Sequence, residues 1–204
     1  SKFIILCPNH TGRGAQVAIM SEGSWRTPLG DVPIDAELAQ KLKEASPLFE
    51  EDTAAHQLEH SLEVHLPFLQ YLKGNLSFVP ISVGTSQLAA LQEIGSAVAQ
   101  VVKSAREPIL IISSTDMTHY ESADSAREKD QRAIQAMLDL DAQKLFDTVH
   151  GYRITMCGCA PTTATLFASN RLGACKAELV RYANSGDVTG DYGSVVGYAG
   201  LIVV

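Results

Sequence analysis

The 204-residue chain carries 23 acidic against 16 basic residues, a formal charge of −7, with 46% hydrophobic content. That is enough apolar material for the core of one ordinary domain, while the scattered Lys and Arg and the acidic stretch FEEDTAAHQLEH argue against nucleic acid or an anionic membrane as a partner. No apolar run approaches the roughly 20 residues of a membrane span, and four cysteines in a chain of this length do not make a disulfide scaffold; free thiols and a reducing, cytoplasmic setting are expected.

Strand-length apolar runs alternate with longer amphipathic stretches, which predicts an α/β fold around a largely buried sheet. FIILC reads as a buried strand that ends in the loop PNHTGRG, and because the run starts at a Ser a further segment is expected upstream of it. WRTPLGDVPI is broken by Pro28, Gly30 and Pro33 and is extended or hairpin-like. DAELAQKLKEAS is a helix with Asp35 as its N-cap. In HQLEHSLEVHLPFLQYLK, Leu58, Leu62, Leu66 and Leu69 recur at helical spacing, with Pro67 kinking the helix or opening a new one.

LSFVPISVG is a strand, and the long helix of SQLAALQEIGSAVAQVVKSA has Ser86 as its expected N-cap. PILIISSTD reads as the clearest buried strand. Two consecutive helices follow, in SADSAREKDQRAIQAMLDL and DAQKLFDTVHGY, then a third in APTTATLFASNRLG with Gly173 as its C-terminal cap. AELVRYANS and SVVGYAGLIVV close the chain as strands around the loop GDVTGDYG. One domain spanning 1–204 is the simplest organisation.

The residues capable of chemistry cluster where strands end. His10 follows FIILC; Asp116 and His119 follow PILIISS. In open α/β sheets the loops beyond the carboxyl ends of strands form the ligand crevice, so these loops are expected to face one cavity. Cys157 and Cys159 of MCGCAP precede a helix, whose N-terminus favours a thiolate and suits a metal ligand or reactive thiol. C-x-C without a second pair disfavours structural zinc.

HQLEH matches the inverted zincin pattern H-x-x-E-H, in which His56 and His60 would share one helix face. The leucine stripe already gives that segment a core role. GDVTGDYG lacks the spacing of a calcium loop and reads as a tight turn; HTGRG lacks the G-x-G-x-x-G and Walker patterns, which leaves a phosphate cradle there unsupported.

CPNHTGRG, WRTPLGDVPID, LEHSLEVHLPFLQYL, PISVG, SSTDMTHYE, TMCGCAP and YANSGDVTGD…SVVGYAG occur here in an order that resembles the Memo family, known in bacteria and archaea as AmmeMemoRadiSam system protein B. The resemblance runs from Phe3 to the C-terminus. It implies a three-layer α/β/α fold with a central mixed sheet, like that of the class III (LigB-like) extradiol dioxygenases. It also implies a non-haem pocket for Fe(II) or copper held by two His and one Cys. His10 and Cys157 match two of these ligands; the third belongs to a PHAGYxYSG-type block upstream of residue 1, so the ligand set within 204 residues is expected to be incomplete. Asp116 and His119 match the catalytic Asp and His of the pocket, and Glu59 and His60 match a block that supports it.

The implied function is a metal-dependent redox enzyme, dioxygenase-like, with His119 as base or proton donor and Asp116 orienting it. Ring cleavage does not follow, because the dioxygenases use a carboxylate where this chain has Cys157. The alternatives are a non-catalytic module binding a peptide or small anion, an accessory protein beside radical-SAM and AMMECR-type partners, and the zinc peptidase of HQLEH.

Overall fold

Alternation along β1 (Lys2–Pro8) sets the layering. Successive strand residues point to opposite faces, and in the computed structural model, which describes residues 1–204, Ile4 and Leu6 enter one buried cluster while Phe3, Ile5 and Cys7 enter another. The first face is covered by α1 (Ala36–Ala45), α3 (Leu88–Ser104) and α6 (Cys159–Leu172), through Leu38, Leu42, Leu91, Ile94, Val98 and Ala164. The second is covered by Val32 of the β3 (Ser24–Thr27)–β4 (Gly30–Pro33) hairpin and by Leu62 and Leu66, the latter opening α2 (Leu66–Lys73). Each fully buried Phe, Ile or Leu contributes about 1.5–3 kcal/mol by leaving water, so both faces of the strand hold it in place.

The five-stranded sheet has the order β5-β2-β6-β1-β7, formed by β1, β2 (Val17–Ile19), β5 (Glu50–Glu51), β6 (Ser77–Val83) and β7 (Ile109–Ser113). β6 and β7 run parallel to β1, while β2 is antiparallel to β6, so the sheet is mixed. β8 (His119–Glu121), β10 (Val195–Val203) and β9 (Ala177–Asn184) form a separate three-stranded sheet. This sheet packs with α4 (Ala123–Leu138) and α5 (Ala142–Gly151) in a third cluster that includes Met117, Ile134, Met137, Leu145 and Met156. The fold is thus α/β with helices against a central mixed sheet, as the alternating pattern predicts. No helix is long and apolar enough to cross a membrane.

The local signals act where expected. Asp35 caps α1 by accepting from Leu38 N, the hairpin forms over Ser24–Pro33, Pro67 sits in the first turn of α2, and Gly173 ends α6 with φ +94°. Four expectations are corrected. HQLEH is a run of turns and not a helix, so His56 and His60 share no helix face; Leu58 is exposed while only Leu62 and Leu66 are buried. The N-cap of α3 is Gln87, whose amide is held by Thr85 Oγ1, and not Ser86. GDVTGDYG contains a helical turn, Gly186–Thr189, beside its turns. β7 is an edge strand with Leu110 exposed and its other residues half-buried, because the sheet gives it a neighbour on one side only.

Candidate functional site

Two groups of polar side chains gather at the carboxyl ends of β1 and β7. The first is His10, Glu59 and His60. Its centre is the Glu59 carboxylate, 1% exposed, which accepts from His10 N (2.7 Å), His60 N (3.0 Å), Ser61 N (3.0 Å) and Ser61 Oγ (2.7 Å). His10 Nδ1 lies 2.8 Å from Glu59 Oε1. Burial pushes this carboxyl up, but the hydrogen bonds from His10 and Ser61 outweigh it and hold the pKa down at about 2. An ionised Glu59 only accepts, so the His10 proton sits on Nδ1 and Nε2 is left with a free lone pair. The His60 ring stacks on His10 at 4.7 Å between centroids, with its side chain mostly in solvent.

The second group is Asp116, His119 and Cys157, whose ligand atoms all lie within 4.8 Å of one another. His119 Nδ1 is 2.8 Å from the carbonyls of Met117 and of Thr155. Both are acceptors, so Nδ1 again carries the proton, and Nε2 faces Asp116 Oδ2 at 3.7 Å. Thr155 Oγ1 accepts from His119 N and fixes the backbone as well. Cys157 Sγ accepts from Asp116 N at 3.1 Å.

Burial and the Asp116 carboxylate raise the Cys157 thiol above its ordinary value against the pull of the Asp116 amide, so the lowered pKa expected of a cysteine before a helix is not what the surroundings produce. The residue precedes the N-cap, Gly158, and is half-buried beside a negative charge. Cys159 points into the core instead, with burial raising it to about 11.

Gly158 is required here. An added Cβ would overlap the Ser114 carbonyl and the Thr115 side chain, and Gly158 N donates to Thr115 Oγ1 at 2.9 Å. The start of α6 therefore presses directly on the loop that follows β7, which brings Cys157 to Asp116.

The two groups are neighbours but not one cluster. Ser114 Oγ donates to the Ser61 carbonyl at 2.7 Å, and the same oxygen accepts from His65 Nε2 at 2.9 Å, tying the loop after β7 to the one that carries Glu59 and His60. Burial lowers the His65 pKa against the opposing Asp116 charge. Ser61, Ser114, His65 and Thr155 were not singled out in the sequence; only their positions beside EHS, SSTD and TMC could have flagged them. His56 lies in neither group: its ring meets the edge of Trp25 at 5.7 Å, and it lines a cavity of about 750 Å³ that Glu59, Trp25, Val64 and Pro67 also border.

A polar site built at the carboxyl rim of parallel strands, with imidazole, carboxylate and thiol donors close enough to share an ion, defines an α/β protein with candidate metal-ligand groups. A model of the Memo-like protein family matches residues 1–202, and the chain belongs to the Memo family. A MEMO1 family protein of Methanopyrus kandleri is 45% identical over 200 residues, covering 98% of this chain and 71% of the relative. One from Methanothermobacter thermautotrophicus is 43% identical over 199 residues, covering 98% and 72%. A crystal structure of an uncharacterized protein from Escherichia coli K12 matches with a TM-score of 0.56 at 16% identity, covering 95% of this chain and 84% of that one, a likeness of fold.

Proposed function

We propose that this protein is a metal-dependent redox enzyme of dioxygenase-like type, with Cys157 and His10 holding non-haem iron or copper. The observation that carries the reading is the state of the two histidines: each is fixed with its Nδ1 proton on a protein acceptor, so His10 and His119 both offer a bare Nε2. Imidazole and thiolate are the donors that Fe(II) and copper favour, so the residue types fit such an ion, which would draw His10 and Cys157 together from their two neighbouring groups. Bound there, the metal would supply positions for dioxygen and substrate.

The chain's own groups divide the remaining work. Glu59 orients His10 through Nδ1 and, by staying ionised, keeps the proton there so that Nε2 is free to bind. His119 Nε2 takes a proton from the substrate side or returns it, and Asp116 at 3.7 Å steadies the imidazolium that forms. His60 stacks on His10 and limits its tilt. Free thiols throughout fit a reducing, cytoplasmic compartment. An accessory role beside radical-SAM and AMMECR-type proteins is compatible with the same pocket.

The 750 Å³ cavity favours a second reading, a non-catalytic module that binds a peptide against Trp25, Val64 and Pro67. A small anion is the poorer occupant, because Arg26, the basic residue on that wall, is paired with Asp31.

The deciding experiment is elemental analysis after anaerobic purification, followed by oxygen uptake. In the chain extended by the upstream PHAGYxYSG-type block, near-stoichiometric iron or copper is expected, lost in Cys157→Ala and His10→Ala, with His119→Ala keeping metal and losing turnover. Metal content unchanged in Cys157→Ala overturns the assignment, and saturable peptide binding by metal-free protein without turnover selects the second reading.

A further inference from the structure

Two sheets of this fold stop short of one another. β7 ends the five-stranded sheet and is paired with β1 on one side only. β10 is paired along one edge with β9; on its other edge it meets β8 at Val195 and Val196, and Gly197 bonds to Met117 and Thr118. From Tyr198 to Val203 that second edge has no strand beside it.

The two bare edges wall one cavity of about 550 Å³. Leu110, Ile111 and Ile112 line it from β7, Leu201, Ile202 and Val203 from β10, and α6 forms its floor. Leu110 and Ile202 are each 56% exposed, although both lie mid-strand in β-branched and aliphatic runs. On the floor, Thr165 Oγ1 is buried with no hydrogen-bond partner. Side chains of this kind belong to strands that are covered on both sides, and a long apolar edge facing water is a template for pairing with another strand.

We propose that the slot between β7 and β10 receives one β-strand, which bonds to both edges and merges the five- and three-stranded sheets. Paired strands lie about 4.8 Å apart, so a single strand bonded on both sides bridges two edges about 10 Å apart. The occupant is an apolar extended segment drawn from the part of the family's length beyond the match, since more than a quarter of the Methanopyrus kandleri relative lies outside it.

The test compares amide hydrogen exchange in the 204-residue chain with that in the same chain joined to the residues of the Methanopyrus kandleri relative that lie outside the match. Exchange across β7 and β10 is expected to slow by about 100-fold in the longer protein, while the solvent-facing β3–β4 hairpin stays unchanged as an internal reference. Equal rates in the two proteins overturn the proposal. So does protection in the 204-residue chain that grows with protein concentration, because the occupant is then a second copy. If the shorter chain precipitates, the longer protein decides by itself: β7 and β10 must exchange slower than the hairpin by that margin, and parity overturns the idea.

Discussion

Glu59 Oε1 and His10 Nδ1 lie 2.8 Å apart, and the buried carboxylate decides which nitrogen of the imidazole carries the proton. Glu59→Gln keeps one accepting oxygen but turns the other position into an NH₂ donor that faces either His10 N or the donors gathered at Oε1. The variant is expected to lose about 2–4 kcal/mol of stability. Removing the acceptor altogether, in Glu59→Leu, should shift His10 toward the Nε2–H tautomer, which ¹⁵N chemical shifts of the ring nitrogens read directly. An unchanged tautomer would show that something other than Glu59 sets it.

The same carboxylate makes stability depend on acid. Its folded pKa of about 2 lies below the ordinary 4.5. The group therefore stabilises the fold fully above pH 4.5 and loses that contribution as pH falls toward 2. By linkage this amounts to about 3 kcal/mol. Denaturant titrations between pH 6 and 3 should show the fall in the parent protein and a flatter profile in Glu59→Gln.

Tyr182 governs the alkaline side. Its hydroxyl donates to Oδ2 of the fully buried Asp130 at 2.8 Å, and burial together with that carboxylate raises its pKa well above the usual tyrosine range. A raised folded pKa contributes stability below pH 10 and loses it as pH climbs through 10 toward the folded value. Tyr182→Phe removes one partner of Asp130 and should cost about 2 kcal/mol at neutral pH. It should also remove this alkaline fall, measured by thermal unfolding from pH 7 to 10.5.

Gly158→Ala places a methyl group against the Ser114 carbonyl and Thr115. Backbone on one side and a β-branched residue on the other leave little room to yield, so a loss of about 1–3 kcal/mol is expected. If Cys157 binds metal, cobalt substitution provides a second readout: the thiolate charge-transfer band should shift or weaken in a protein that remains folded by circular dichroism.

Leu62→Ala empties a fully buried position beneath the loop that carries Glu59 and His60. The expected cost is about 2–5 kcal/mol. A loss below 1 kcal/mol in a chemical-denaturation experiment would mean that the loop is not anchored by this side chain.

Much of the architecture was legible in the sequence because its local signals agree with one another. Asp35 and Gly173 are capping residues placed where amphipathic runs begin and end, and Pro67 marks a helix start by chemistry that tertiary context did not overrule. HQLEH failed for an instructive reason. Three- and four-residue spacing is shared by a helix and by successive tight turns, and Leu58, exposed, adds no burial to hold a helical face. The burial of β7 was misread because an apolar run cannot report how many neighbours its strand has.

The site divides the same way. His10, Asp116 and His119 could be singled out by their positions after strands and Cys157 or Cys159 by theirs before a helix, while the family resemblance chose Cys157 and added Glu59 and His60. The Ser61–Ser114–His65 links between the two groups depend on contacts some 50 residues apart in sequence, which no local pattern carries.

The close approach at Gly158 has a consequence for how the site can vary. The main chain brings Cys157 to Asp116, with a glycine seated on a carbonyl and an amide aimed at the sulfur, so the backbone sets the approach and the Cys157 rotamer only aims the thiol. What the protein can least tolerate is an insertion of even one residue between Cys157 and α6, since that would swing the thiol out of register while leaving every helix intact.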